Sequence, residues 1–425
     1  MFAGTTPQSC PGVLGGIKDT APNQSVHATP REIICVGLNP AFQTTLHFRS
    51  FAPGQVNRAF RKTHSIGGKG QNVAISIQQL GHANKVSVLQ FVGGSTGKYI
   101  CDALEQKNIQ QFSVPVQKPT RTCTTVLDFS TNTTTELVEP SSTIDESEKA
   151  QFYTLARSVL SSPTIRGIAI CGTLPAGTDA ACYDFVVRMK PVNGWTILLD
   201  AYKGVESTLE TGLVDILKIN GDEARAVVGD TTSPISAVGR AITAKYPIRY
   251  IAVTNGPEAA CLVDGTTHTV YTYSVPALAE MVRLTDSCDQ LQYDPPAAAA
   301  AADCASALRM NPAVAQLAKL AESSACLPSP IMAPTLSRQN SFHIGSDGEQ
   351  QLVLNPLGAG DTCSGVTLAS FLESGDMVAA FRRGLAAASA SCLVTESTSH
   401  FDRDVMAAIY DQITVTSSSS DDAAV

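Results

Sequence analysis

Short runs of aliphatic and β-branched residues recur along the chain, at 33–38, 86–92, 167–171, 196–200, 216–219, 250–254 and 260–263. Each is apolar at successive positions, which predicts strands covered on both faces. Between them, apolar residues return at helical spacing over 72–80, 98–107, 148–160, 180–189, 222–228 and 236–245. Strand and helix patterns therefore alternate. The expected fold class is α/β, a three-layer architecture with a mainly parallel sheet and helices on both faces. Ligands of such sheets bind at the carboxyl ends of the strands, which is where the motifs of interest must fall.

Two stretches break this rhythm. The segments 42–48, 54–66 and 121–138 are Thr-rich and alternating, with no helix between paired runs. They predict a small sheet with one wet face, lying outside the main core. The stretch 277–348 carries an alanine tract at 297–302, several prolines and a Ser-rich segment at 329–341. It reads as a low-complexity insertion with one helix over 312–323, because a structureless loop of this length is foreign to a compact domain. The ends, 1–30 and 416–425, read as disordered: a polar extension and a Ser- and Asp-rich tail.

The chain has 425 residues, 44% of them hydrophobic and 16% charged, which is globular composition with ample core. The formal net charge of -8 argues against a nucleic-acid partner or an anionic membrane. Anionic ligands must then be met by a few local cations and backbone N–H groups. The twelve cysteines are scattered with no CxxC pair, so zinc is not expected and reduced thiols are. No apolar run approaches the roughly 20 residues that cross a bilayer. The first 30 residues lack an apolar signal core, and the expected location is cytoplasmic.

The strongest chemical signal is Asn355-Pro356-Leu357-Gly358-Ala359-Gly360-Asp361-Thr362, followed by a helix pattern through Glu373. Small residues before a helix let N–H groups face an oxyanion, and the helix dipole adds positive potential. Gly358, Ala359 and Gly360 would thus form an anion hole for a transferring phosphoryl group. Asp361 would accept the proton of an attacking hydroxyl. By itself the run is equally an ordinary glycine-rich helix entry, and it fails as a dinucleotide fingerprint because Cys363 stands where the third glycine belongs. A second loop, Gly67-Gly68-Lys69-Gly70-Gln71-Asn72, also opens a helix and lacks the spacing of a Walker A loop. Alone it is more often a turn than a site.

Taken together, these loops resemble the two signatures of the ribokinase family of carbohydrate kinases, also called the PfkB family. Between them stand Gly172-Thr173-Leu174-Pro175-Ala176-Gly177, Leu199-Asp200-Ala201, Lys218-Ile219-Asn220-Gly221-Asp222-Glu223 and Val253-Thr254-Asn255-Gly256, in family order. The resemblance covers about 33–412 apart from the insertion. It implies a kinase domain over 31–276 and 349–415, with a small β-lid at about 39–66 and 121–140.

Lys69, with Asn39-Pro40-Ala41, Val56-Asn57-Arg58, Arg121-Thr122-Cys123 and 135–140, resembles the branch that acts on sugar phosphates, 1-phosphofructokinase and tagatose-6-phosphate kinase. The implied reaction is ATP-dependent phosphorylation of a hydroxyl of a hexose phosphate such as fructose 1-phosphate, fructose 6-phosphate or tagatose 6-phosphate. A kinase of an unphosphorylated ketose or nucleoside, and a non-catalytic sugar-phosphate-binding protein, are the alternatives.

The implied substrate contacts are Gln43, Gly67, Gly68, Lys69, Asn72 and Arg121, with Arg58 behind them, although a solvated charge explains Arg58 equally well. Nucleotide contacts implied are Lys218, Asn220, Thr254, Gly256, Leu385 and Ser389. Asn220 and Glu223 would orient water on Mg²⁺, although Asn-x-x-Glu is otherwise a helix cap. ATP and Mg²⁺ are the implied cofactors, a monovalent cation such as K⁺ is admitted, and lid pairing would give a homodimer. One departure matters: the branch usually has Asp where this chain has Gln43, which accepts and donates hydrogen bonds without charge.

Overall fold

In β1 (Ile33–Val36) alternate side chains leave on opposite faces: Ile33 and Cys35 enter one apolar core, Ile34 and Val36 another. The strand at Thr196–Asp200 divides the same way, Leu198 to the first core and Ile197 and Leu199 to the second. A strand apolar at every position is thus the surface of two cores at once.

The computed structural model describes residues 32–82, 85–131, 133–192, 194–276, 342–344, 350–352, 355–394 and 398–418. After β1 the chain forms β2 (Ala41–Phe48), β3 (Arg61–Gly67), α1 (Lys69–Gln79), β4 (Val86–Val92), α2 (Gly94–Gln106), β5 (Gln110–Pro115), β6 (Thr122–Asp128) and β7 (Thr133–Val138). Next come α3 (Glu146–Leu160), β8 (Gly167–Cys171), α4 (Ala181–Arg188), β9 (Thr196–Asp200), α5 (Glu206–Glu210), β10 (Ile216–Asn220), α6 (Gly221–Val228) and α7 (Ile235–Lys245). The chain continues through β11 (Tyr250–Thr254), β12 (Ala260–Asp264), β13 (Val270–Ser274), β14 (Phe342–Ile344) and β15 (Gln350–Leu352). It ends with α8 (Ala359–Ser374), α9 (Met377–Cys392), α10 (Arg403–Gln412) and β16 (Thr414–Ser418).

The main sheet runs β16-β13-β12-β11-β10-β9-β8-β1-β4-β5, parallel from β11 to β5 and antiparallel at the β12, β13 and β16 edge. Helices α1, α2, α8, α9 and α10 cover one face and α3, α4, α5, α6 and α7 the other. A Cβ at Gly365 would collide with Ser76, and one at Gly384 with Thr367, so α8 packs on α1 and α9 at a distance only glycine allows. The α/β expectation is met, and β4, β8, β9 and β11 have the bounds read from the sequence.

The second sheet has the order β3-β2-β6-β7 and joins the Thr-rich segments as expected. It departs from the sequence reading at 54–60, which is a loop: Asn57 closes it by bonding both N–H and C=O of Ala52 at 2.9 and 2.8 Å. The tail also differs. Thr416, Ser417 and Ser418, expected in the disordered tail, pair antiparallel with Thr272, Tyr271 and Val270. The sheet supplies these polar residues with backbone partners that their side chains do not announce. The 312–323 helix and nearly all of the 277–348 insertion lie outside the described residues.

Candidate active site

The first signature enters α1 through Gly68, whose φ of 109° and near collision with Gln71 at the Cβ position exclude other residues. This entry puts Lys69 and Asn72 on the sheet's carboxyl edge. The second enters α8 through Gly358, a left-handed N-cap with φ 81°, and puts Asp361 in the first turn. The two helices pack side by side, and Asn72 Nδ2 donates to Asp361 Oδ2 at 2.8 Å.

Beneath them lies the carboxylate of Asp200 at the end of β9, fully buried. Lys69 Nζ is 2.9 Å from Asp200 Oδ1, Lys218 Nζ is 3.7 Å from Oδ2, and Ser364 Oγ donates to Oδ2. Lys69 also reaches Glu223 at 3.4 Å, and Lys218 donates to Gly360 O at 2.9 Å. Two lysines and three carboxylates thus share one centre, and their protonation follows from the arrangement.

Burial would raise Asp200, but Lys218, Lys69 and the hydrogen bonds from Lys69 and Ser364 hold it below the usual carboxylate range. Burial would lower Lys69, but Asp200, Asp361 and Glu223 outweigh it and keep the ammonium charged. Asp361 goes the other way. Burial, and then repulsion from Asp200, push it up to about 6 against the pull of Lys69, Asn72 and Lys218. A carboxylate tuned towards neutrality beside fixed cations suits proton acceptance.

On the outer side of Lys69, Gly172 at the end of β8 approaches its side chain, and Asn39 Nδ2 donates to Thr173 Oγ1 at 3.0 Å. Arg121 Nη2 donates to Asn39 O at 3.3 Å, while its buried Nε has no hydrogen-bond partner among the described residues. Gln43 is buried on β2 beside Gly67, and its Nε2 donates to Thr125 Oγ1 at 2.8 Å. Arg58 stands exposed in the loop between β2 and β3. Its placement offers no contact with this group.

On the other side, Asn220 and Glu223 form a reciprocal capping box at the start of α6, with bonds of 2.9 and 3.0 Å. Helix capping and site placement therefore coincide in one pair. Thr254 is in register with Asn220 at the neighbouring strand end, and Gly256 follows in an exposed left-handed turn. Leu385 lies in the first core and Ser389 is half-buried on the same helix, α9. Among the described residues no group of three His, Cys, Asp or Glu stands close enough to hold a metal ion.

The sequence reading gave no role to Asp200, although its place at a strand end was a usable signal. It also passed over Ser364 and the segment Thr398–His400, for which no motif offered a cue.

Known proteins resemble this chain in sequence and in fold. A family model described as pfkB family carbohydrate kinase matches residues 31–283. A tagatose-6-phosphate kinase from Staphylococcus epidermidis is 26% identical over 233 residues, which is 54% of this chain and 73% of that protein. Phosphofructokinase-2 from Escherichia coli in complex with fructose 6-phosphate superposes with TM-score 0.60 at 18% identity, covering 90% of this chain and 99% of the other. A carbohydrate kinase from Agrobacterium tumefaciens superposes with TM-score 0.56 at 15% identity, covering 91% and 100%.

Proposed function

The chain belongs to the pfkB family of carbohydrate kinases, and on that premise we propose that it transfers the γ-phosphoryl group of ATP to a hydroxyl of a hexose phosphate, with Asp361 as the base. The carrying observation is the buried Asp361 carboxylate, bonded by Asn72, set in the first turn of α8 and within the field of Lys69 and Lys218. The tagatose-6-phosphate kinase relative and the fructose 6-phosphate complex of phosphofructokinase-2 make hexose 6-phosphates the first substrates to test, with fructose 1-phosphate beside them.

When bound, ATP with its Mg²⁺ supplies the electrophilic phosphorus and neutralises phosphate charge. The residues present fit that role. Asn220 and Glu223 are occupied with one another's backbone, and no three-ligand cluster stands nearby among the described residues, which suits a hydrated ion accompanying a nucleotide over one held by protein ligands. Lys218, Asn220, Thr254 and Gly256 line the nucleotide side, and Leu385 and Ser389 are assigned to the adenine end. A K⁺ ion is present in a phosphofructokinase-2 structure from Escherichia coli, which makes a monovalent cation a candidate ligand of this chain.

Asp361 takes the proton as the substrate oxygen bonds to phosphorus and the bond to the β-phosphate oxygen breaks. Gly358 and Gly360 offer N–H groups to the oxygens whose charge grows, while the Ala359 N–H, expected in the same hole, is spent on Pro356 O at 3.1 Å. Lys69 and Arg121, with an unpaired buried Nε, suit the phosphate that the substrate already carries. The small sheet covers the sugar side and excludes water, the competing acceptor. Residues 31–276 and 349–415 form the kinase domain on this reading, with 277–348 inserted.

Exposed Leu137 and Val138 on the small sheet, with exposed Val56 in the loop between β2 and β3, suit a homodimer through the lid, which a solution mass of one chain would exclude. The functional test is ATP consumption by the purified chain over a panel of sugars and sugar phosphates. Turnover of unphosphorylated ketoses or nucleosides alone, or of nothing, would overturn the proposal.

A further inference from the structure

The segment Thr398–His400 touches the reacting group's neighbours from a direction that no motif predicts. Thr398 and Ser399 are fully buried. The Thr398 hydroxyl is shared between Asn72 Oδ1 at 3.0 Å and Ile66 O at 3.1 Å. Ser399, held at φ 57°, donates through Oγ to Gly358 O at 3.2 Å. His400 anchors the segment: Nδ1 lies 2.9 Å from Thr398 O and Nε2 lies 3.0 Å from Lys107 Nζ. Burial, with Lys107 beside it, lowers His400 to about 4, so the ring is neutral, Nδ1–H donates to Thr398 O and Nε2 accepts from Lys107.

We propose that Thr398 is a positioning residue for the catalytic base, fixing the Asn72 amide so that Nδ2 points at Asp361. An Asn side chain presents donor and acceptor at nearly equal reach, so its orientation depends on what meets each end. Here a carboxylate meets the amide nitrogen and a hydroxyl meets the oxygen. With Asp361 ionised, and so an acceptor only, both ends are satisfied only in the orientation that donates to it, and Thr398 supplies the donor that the amide oxygen then needs. Removing the hydroxyl leaves a buried acceptor without its donor, which the side chain relieves by turning away. Asp361 then loses a hydrogen bond to its ionised form.

The inference rests on the reading of Asp361 as base. The charged groups facing Asp361 are Asp200 from β9, Lys218 from β10 and Lys69 from α1, and Thr398→Val alters none of them.

The test uses the full chain, with carboxyl-¹³C aspartate and Asp361→Asn to assign the resonance. Thr398→Val should raise the Asp361 titration midpoint above its wild-type position, while Thr398→Ser leaves it in place. With ATP and tagatose 6-phosphate, Thr398→Val should lower kcat by about tenfold or more, the scale of a misplaced catalytic group, with KM for ATP nearly unchanged. On an Asn72→Ala background the same substitution should cost nothing further. A folded Thr398→Val protein with an unmoved midpoint, or full additivity with Asn72→Ala, overturns the inference. Should Thr398→Val not fold, Thr398→Ala against Thr398→Ser carries the same contrast. An active Asp361→Asn enzyme would instead sink the assignment of the base, so the two failures are distinct.

Discussion

Asn72 and Asp361 stand 289 positions apart in the chain, yet the amide of one donates to the carboxylate of the other at 2.8 Å. The contact joins the first turns of two helices whose glycine-led entries each face the same strand ends. The proposed chemistry is organised around that junction.

Replacing Asp361 by Asn removes the proposed proton acceptor with little change of shape. The expected loss in kcat is about a thousandfold, in the range of general base catalysis, with nucleotide affinity retained. Steady-state kinetics with isothermal titration of ATP would check both. Activity within about tenfold of wild type would remove Asp361 from the mechanism.

The pH dependence has a definite sign. Asp361 must be ionised to accept a proton and is raised in the fold from 3.8 to about 6, so kcat should fall as pH drops through about 6. The same shift acts on stability. A carboxyl raised in the folded state stabilises the fold at low pH, and that contribution is lost as pH rises through about 6. Asp361→Asn should therefore melt above wild type at pH 8, with a difference that shrinks towards pH 5. Melting curves that run parallel across this range would contradict the shift.

The Lys69 ammonium is held by Asp200 and Glu223, and its stem passes Gly172 on the outer side of the site. Lys69→Met should raise KM for the hexose phosphate by about tenfold or more, the value of one lost charged hydrogen bond, while KM for ATP changes little. The variant should also melt earlier, because buried Asp200 loses one of its three partners. An unaltered KM for every sugar phosphate turned over would place the substrate phosphate elsewhere.

Gln43 spends its amide nitrogen on Thr125 Oγ1 and Thr44 O, which leaves its carbonyl oxygen to meet a ligand. Gln43→Asp keeps an acceptor and adds charge, and Thr125 can donate to it. The expected result is a rise in kcat/KM of about tenfold for a furanose phosphate, the scale of one hydrogen bond to a charged group. Identical kcat/KM for all sugars tested would show that position 43 does not touch substrate.

The apolar runs at 86–92, 167–171, 196–200 and 250–254 determined their strands outright, because a strand buried on both faces has few other ways to satisfy that composition. Glycines at 68 and 358 determined two helix entries, because their positive φ disfavours a side chain and a Cβ there would collide with Gln71 or Ser399. Those local rules were enough for the fold class and for the two loops that carry Lys69, Asn72 and Asp361.

The remaining features depend on contacts between distant segments. β5 and β16 are polar edge strands that exist because β4 and β13 offer a free edge to pair with. Asp200 became part of the site only because β9 ends between Lys69 and Lys218. Thr398 became so only because its segment crosses α1 above Asn72. The raised Asp361 is likewise a property of the assembled centre, since burial and the Asp200 charge arise when β9 and α8 meet. Periodicity and glycine placement act over a few residues and are written in the chain. Electrostatic coupling acts through space, and only the tertiary structure sets its distances.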